Sequence, residues 1–296
     1  MSRYLERVEN SARLVAVYGE LLLDLPEEAR LDWPVALEIL GMEAAFKSHT
    51  GGTSELSFLL TSKDNVASVL SSLGFARENA RTTRDIVPTE AWRAINEMYL
   101  YARQNLPDMV QRPGSKVPAE LVGRCHEITG ILEGTMSHGP AYQFVRLGRS
   151  LERVDMTSRI IDVAAAILLT GQDDLPFHAG TIWRAVLRAQ SAYQMYRQYV
   201  RRRILGNDVV VFLLKDENFP RSVVHCIGVL DSALAQLPRA ARAQGQTNAL
   251  RARLEAIKVT DLDHAHLHQF VDDLQLELAA LNDVIFDTWL NPLIAA

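Results

Sequence analysis

The sequence predicts an all-α protein, a single helical bundle built by internal duplication with pseudo-twofold character, and three observations lead there. Arg3-Tyr-Leu-Glu-Arg-Val-Glu-Asn-Ser-Ala-Arg-Leu-Val15 recurs as Arg149-Ser-Leu-Glu-Arg-Val-Asp-Met-Thr-Ser-Arg-Ile-Ile161. Further anchors return in the same order: Trp33 as Trp183, Phe58-Leu-Leu60 as Phe212-Leu-Leu214, and Ser68-Val69 with Gly74 as Ser222-Val223 with Gly228. Apolar residues repeat with a helical period almost throughout. The offset drifts slowly, as small loop insertions make it. One domain spanning 1–296 is therefore expected, with pseudo-repeats at about 1–136 and 137–296.

Each element has a start or stop signal. The first helix runs from near Met1 to about Leu25, where Pro26 ends it. Asp32 caps the next, with Pro34 in its first turn, and Gly51-Gly52 closes it. Asp64 or Asn65 opens a helix to about Asp85; Pro88 breaks it, and Thr89 with Glu90 opens another to about Gln104. Pro107 to Pro118 reads as the most loop-like stretch, followed by a helix near Ala119–Met136. The longest helix is expected at about Pro140–Leu169, some 45 Å at about 1.5 Å per residue. Helices near His178–Leu205 and Ser222–Leu237 follow, then two between Asn248 and Trp289. Val209–Leu214 and Leu56–Leu60 are apolar but short and lack partner strands, so they read as buried connectors and no sheet is expected.

The repeated motif is charged on one side only. At roughly 100° per residue, Arg3, Glu6, Arg7, Asn10 and Arg13 share an arc of about 120°, which Leu14, Val17 and Leu21 continue. Arg149, Glu152, Arg153 and Arg159 lead into Ile160, Val163 and Ile167 in the same way. Leu5, Val8, Ala12 and Val15 form a second apolar face, so each signature helix is expected to pack on two sides. Three readings of the cluster stay open: a structural charge network, a pocket whose guanidiniums grip a carboxylate or phosphate, or surface pairing through Glu9–Arg13 and Asp155–Arg159. The energies differ widely. An exposed i,i+4 pair contributes about 0.2–0.5 kcal/mol, whereas breaking a buried pair costs roughly 3–5 kcal/mol.

Composition excludes several classes. The chain is 48% apolar and 23% charged, which is ordinary for a globular protein. A net charge of −5 argues against wholesale nucleic-acid binding. Two cysteines, Cys125 and Cys226, suggest reduced buried thiols and a cytoplasmic setting. Met1 leads directly into charged helix, so no signal peptide is expected, and Val163–Leu169 is far too short to cross a bilayer.

Arg77, Arg81 and Arg84 share a face with Leu70 and Leu73, which makes Arg77 and Arg81 candidates for an anion contact. Pairing of Arg81 with Glu78 or Asp85 is the plainer alternative, and the second copy carries Leu230 and Leu234 in place of the arginines. Tyr193, Tyr196 and Tyr199 with Arg197 to Arg203 combine aromatics and base, a pattern that can grip single-stranded nucleic acid but more often marks a helix C-terminus. Among His264, His266 and His268 only the first and last share a face, with Asp261 near them; zinc needs three or four converging ligands, so no metal or other cofactor is expected.

The opening motif, Arg77-Glu-Asn-Ala-Arg81 and Pro220-Arg-Ser-Val223 together resemble the bacterial alpha-E family, a helical domain named for a recurrent Glu-Arg motif. Phe144-Val-Arg-Leu-Gly-Arg-Ser-Leu-Glu-Arg153 looks like its second copy, and Asp85 followed by Trp92 also fits the pattern. The resemblance implies a further tryptophan-bearing stretch ahead of the first motif, so Met1 is expected to fall inside that helix. The resemblance implies a context: a circularly permuted ATP-grasp protein similar to a peptide ligase, and a transglutaminase-like protein, as partners. It implies no reaction. The expectation is a cytoplasmic, bacterial accessory subunit that touches neither membrane nor nucleic acid. Glu6, Arg7, Arg13, Glu152, Arg153 and Arg159 would form its charged seam, and Arg77 and Arg81 an anion contact. The alternative is an enzyme in its own right, with Glu6 or Glu152 as a general acid/base.

Overall fold

The structure is a computed structural model that describes residues 1–26, 31–49, 51–110, 115–170, 178–259 and 264–291. Among the described residues there is no strand: the chain is all α-helical. It divides into two compact units, Met1–His138 and Gly139–Ala296.

In the first unit α1 (Ser2–Asp24) packs against α5 (Val69–Thr82) and α7 (Val117–Thr135). Helix α6 (Thr89–Val110) lies against both α5 and α7 and closes a ring of four. Three short helices, α2 (Pro34–Ile39), α3 (Glu43–Lys47) and α4 (Glu55–Leu60), connect α1 to α5. Leu5, Val8, Ala12 and Val15 of α1 are buried, together with Leu73, Ile95, Met98 and Ile128. Leu25 is extended because a proline follows it, and α1 stops there.

The second unit has the same order. Helix α8 (Pro140–Thr170) packs on α12 (Val223–Leu234) and α14 (His264–Ile285), and α13 (Ala241–Ala256) closes the ring. Helices α9 (Ala179–Ala189), α10 (Tyr193–Tyr199) and α11 (Gly206–Lys215) take the short positions, and a π-helical turn, Phe286–Leu290, follows α14.

Several expected boundaries change. The segment from Asp32 toward Gly51 is two helices, because Gly41 adopts φ 66° and starts a Schellman turn in which the Met42 amide donates to Leu37 O at 2.7 Å. The stretch from His178 to Leu205 is divided identically, at Ser191 with φ 53° and an Ala192 amide bond to Leu187 O of 2.7 Å. Leu56–Leu60 and Val209–Leu214, read as connectors, are helical; burial of Phe58, Leu60, Phe212 and Leu214 holds them. The cap of α5 is Ser68, whose hydroxyl accepts from the Ser71 amide at 3.1 Å; Asn65 instead donates to Phe58 O. Pro107 lies inside α6, where it removes one donor near the helix end without stopping the last turn. Arg112 and Pro113 lie outside the described residues. No described helix is long and apolar enough to cross a membrane.

Candidate functional site

Helix α1 is buried on nearly every side, so its charged stripe lies in the interior. Glu6 is 3% exposed, and Asn10 and Arg13 are buried beside it. Arg13 Nη2 donates to Glu9 Oε1, and His126 Nε2 of α7 lies 3.0 Å from the same oxygen and 3.3 Å from Arg13 Nη2. The sequence allowed Glu9–Arg13 as a surface pair; both side chains are instead buried. Burying two charges is tolerable only when they are paired and hydrogen-bonded, and here one carboxylate answers two nitrogen bases. The His126 side chain is 59% exposed and carries this buried pair to the surface. Glu9 and His126 were not candidates from the sequence. On the helical wheel Glu9 falls between Arg13 and the apolar Leu5, a border position that a doubly packed helix covers. Arg7 sits at the half-buried end of the stripe, its guanidinium 5.7 Å from the Tyr4 ring centre.

In the second unit Glu152 is also buried. Arg153 is half-buried and donates through Nη1 to Pro220 O at 3.4 Å. Thr157, one turn on, donates to Arg221 O at 3.0 Å and lies 3.3 Å from Gln190 Oε1, which ties α8 to the start of α12 and the end of α9. Arg159 Nε donates to Asp155 Oδ2 at 2.9 Å, but this pair is open to water, with side chains 33% and 37% exposed.

The α5 arginines part company. Arg81 is exposed and makes a two-pronged bond to Glu78, at 2.9 and 2.5 Å. That bond holds the Glu78 carboxyl below the usual carboxylate range, and it is the pairing that the sequence offered as the plainer alternative for Arg81. Arg77 is different: its Nε donates to Asn96 Oδ1 at 2.7 Å, and its guanidinium lies 5.8 Å from the Trp92 ring and 5.3 Å from the Tyr99 ring. Arg84 lies 5.5 Å from the same Trp92. Trp92, Asn96 and Tyr99 recur every three or four residues on α6, so one face of that helix holds the arginines. Counted from the serine caps, Leu230 and Leu234 stand where α5 has the buried Ala76 and Ala80, one residue out of step with the arginines they were matched to.

The remaining candidates resolve as follows. Tyr196 is fully buried, edge-on to Phe212, and donates to Arg203 O, so it offers no face to a base. Asp261 lies outside the described residues, as does the His264 side chain. His266 is exposed. His268 turns to other partners: its Nδ1 lies 2.6 Å from Asp162 Oδ1 of α8, and its Nε2 lies 3.5 Å from Asp272 Oδ2. The hydrogen bond to Asp162, reinforced by that carboxylate's charge, raises the His268 pKa above the ordinary imidazole value. Burial pushes the Asp162 carboxyl up, against the opposing pull of the His268 bond.

No curated protein and no solved structure matches the chain. A family model described as Alpha-E, a predicted alpha-helical domain with a conserved ER motif, matches residues 1–290. Both Glu-Arg pairs of the repeated motif, Glu6-Arg7 and Glu152-Arg153, fall within that match, and the chain belongs to the Alpha-E family.

Proposed function

We propose that this protein is an accessory helical subunit of a peptide-forming or peptide-modifying system, acting in the cytoplasm beside an ATP-grasp ligase-like partner and a transglutaminase-like protein. In this reading it binds the ATP-grasp partner and holds an amino-acid or peptide carboxylate. The observation that carries it is the pair of arginines on Trp92. Arg77 is fixed by a neutral amide and Arg84 by the indole face, and neither makes an ion pair among the described residues, although the Arg77 charge also acts on Glu78 at longer range; both guanidiniums are thus available to an incoming anion. Arg13, Arg81 and Arg159, by contrast, are each matched by an acid on their own helix. We further infer that the two units descend from one duplicated unit with pseudo-twofold character. The matching order of long and short helices, the matching Schellman turns and the matching serine caps support that descent.

The test is co-purification with the ATP-grasp partner, followed by ligase turnover with wild-type protein and with Arg77→Gln/Arg84→Gln. Association and a raised KM for the carboxylate substrate in the double variant are expected. Failure to associate, with turnover unchanged when the protein is omitted, removes the reading.

The burial of Glu6 and Glu152 favours a second reading, in which one of these carboxylates is a general acid/base for the protein's own reaction. Glu152→Gln separates the two. Lost turnover with an unchanged melting temperature supports an enzyme, and lost stability alone supports a structural charge.

A further inference from the structure

Asp162, His268 and Asp272 lie outside the signature motif, and nothing proposed above uses them. His268 and Asp272 stand four residues apart on α14 and so share one face. Asp162 reaches them from α8, and one ligand-type atom from each of the three side chains lies within 4.8 Å of the others. The two ring nitrogens do different things. Nδ1 faces the mostly buried Asp162 carboxylate at 2.6 Å, so in the neutral ring a proton held on Nδ1 leaves the Nε2 lone pair for a ligand. The His268 side chain is 58% exposed, and its Nε2 sits 3.5 Å from Asp272 Oδ2, too far for a good hydrogen bond. Two ligands each about 2.0 Å from one tetrahedral ion stand about 3.3 Å apart. The Nε2–Oδ2 separation is therefore already close to that of two atoms sharing a metal. A carboxylate on the far nitrogen is the usual outer partner of a metal-bound histidine, and it orients the ring and raises its basicity.

We propose that this cluster is an open, exchangeable divalent-cation site: His268 Nε2 and an Asp272 oxygen supply two ligands, fewer than the three or four of a resident zinc centre, water fills the other positions, and Asp162 is the positioning residue. An imidazole with a carboxylate selects a first-row transition ion such as Zn2+ over Ca2+ or Mg2+, which take oxygen ligands. The site clips α14 to α8 through the Asp162–His268 bond and leaves coordination positions facing solvent. It is independent of the carboxylate contact at Trp92.

Zn2+ alone is the probe, titrated calorimetrically into chelator-treated full-length protein at constant pH, with Co2+ absorption as a second readout. One saturable site per chain is expected. Asp272→Asn should weaken it at least about tenfold, and Asp162→Asn by about 10–100-fold with an altered Co2+ spectrum. His268→Gln should abolish it, and His266→Gln should leave it unchanged. Because His268→Gln also removes a helix–helix contact, Asp272→Asn is decisive: it spares that contact, and its metal-free melting curve should overlay the wild type. Absence of Zn2+ binding by the wild type overturns the proposal. So does binding that survives Asp272→Asn, or that His266→Gln reduces equally.

Discussion

Glu9–Arg13 in α1 and Asp155–Arg159 in α8 are the same kind of pair, an acid four residues ahead of an arginine at matching places in the repeated motif. Their surroundings differ. The α1 pair is sealed, with side chains 2% and 6% exposed and His126 on the carboxylate; the α8 pair meets water at 37% and 33%. Sequence spacing sets which groups can touch, but the helix packed over them sets what the contact is worth. Arg13→Met therefore leaves the buried Glu9 charge without its guanidinium, with only the exposed His126 on it, and should lower stability by roughly 3–5 kcal/mol in urea unfolding. Arg159→Met should cost only about 0.2–0.5 kcal/mol. Equal losses at the two sites would break the contrast.

A second pairing concerns backbone geometry. The Schellman turns after α2 and α9 use one hydrogen-bond pattern, but a glycine holds the left-handed position in the first unit and Ser191 holds it in the second. Left-handed backbone costs a residue with Cβ about 1–2 kcal/mol. Gly41→Ala should destabilise by about that amount, while Ser191→Gly should gain a fraction of it, offset by the added freedom of glycine in the unfolded chain. Thermal melts of the two variants should move in opposite directions.

These comparisons also show what the sequence could disclose. The long helices α1, α7 and α8 were legible because apolar periodicity and prolines act locally, and the two-faced pattern of α1 foretold that Glu6 would be buried. The divided short helices were not legible at Ser191, since serine gives no warning of positive φ as glycine does. Pro107 misled because a proline near a helix end removes a single donor there. Glu9 with His126, and Asp162 with His268, escaped because each joins residues more than a hundred positions apart, and one sequence holds no signal for which helix faces which. Arg81 needed no fold at all: its partner is three residues away.

The serine caps sharpen the comparison at a smaller scale. Ser68 and Ser222 each accept from the amide three residues on, at 3.1 and 3.2 Å. Ser222 also donates to Asp216 O, whereas Ser68 donates to the Ser71 hydroxyl. Both alanine variants should cost about 1 kcal/mol. Ser222→Ala should cost more, because it also removes the donor of the half-buried Asp216 carbonyl.

The smallest expected effects separate Arg77 from Arg81, four residues apart on one helix. Arg77→Gln removes contacts with two aromatic rings and the Asn96 amide, and cation–π contacts at such sites are worth about 0.5–1 kcal/mol. Arg81→Gln removes only a fully solvated bond to Glu78, so the melting temperature should not move. Carboxylate binding should follow the same order, weakened by Arg77→Gln and untouched by Arg81→Gln, because Glu78 already neutralises the Arg81 guanidinium. If both variants weaken binding alike, the anion is attracted by net surface charge and the stacking on Trp92 plays no part in holding it.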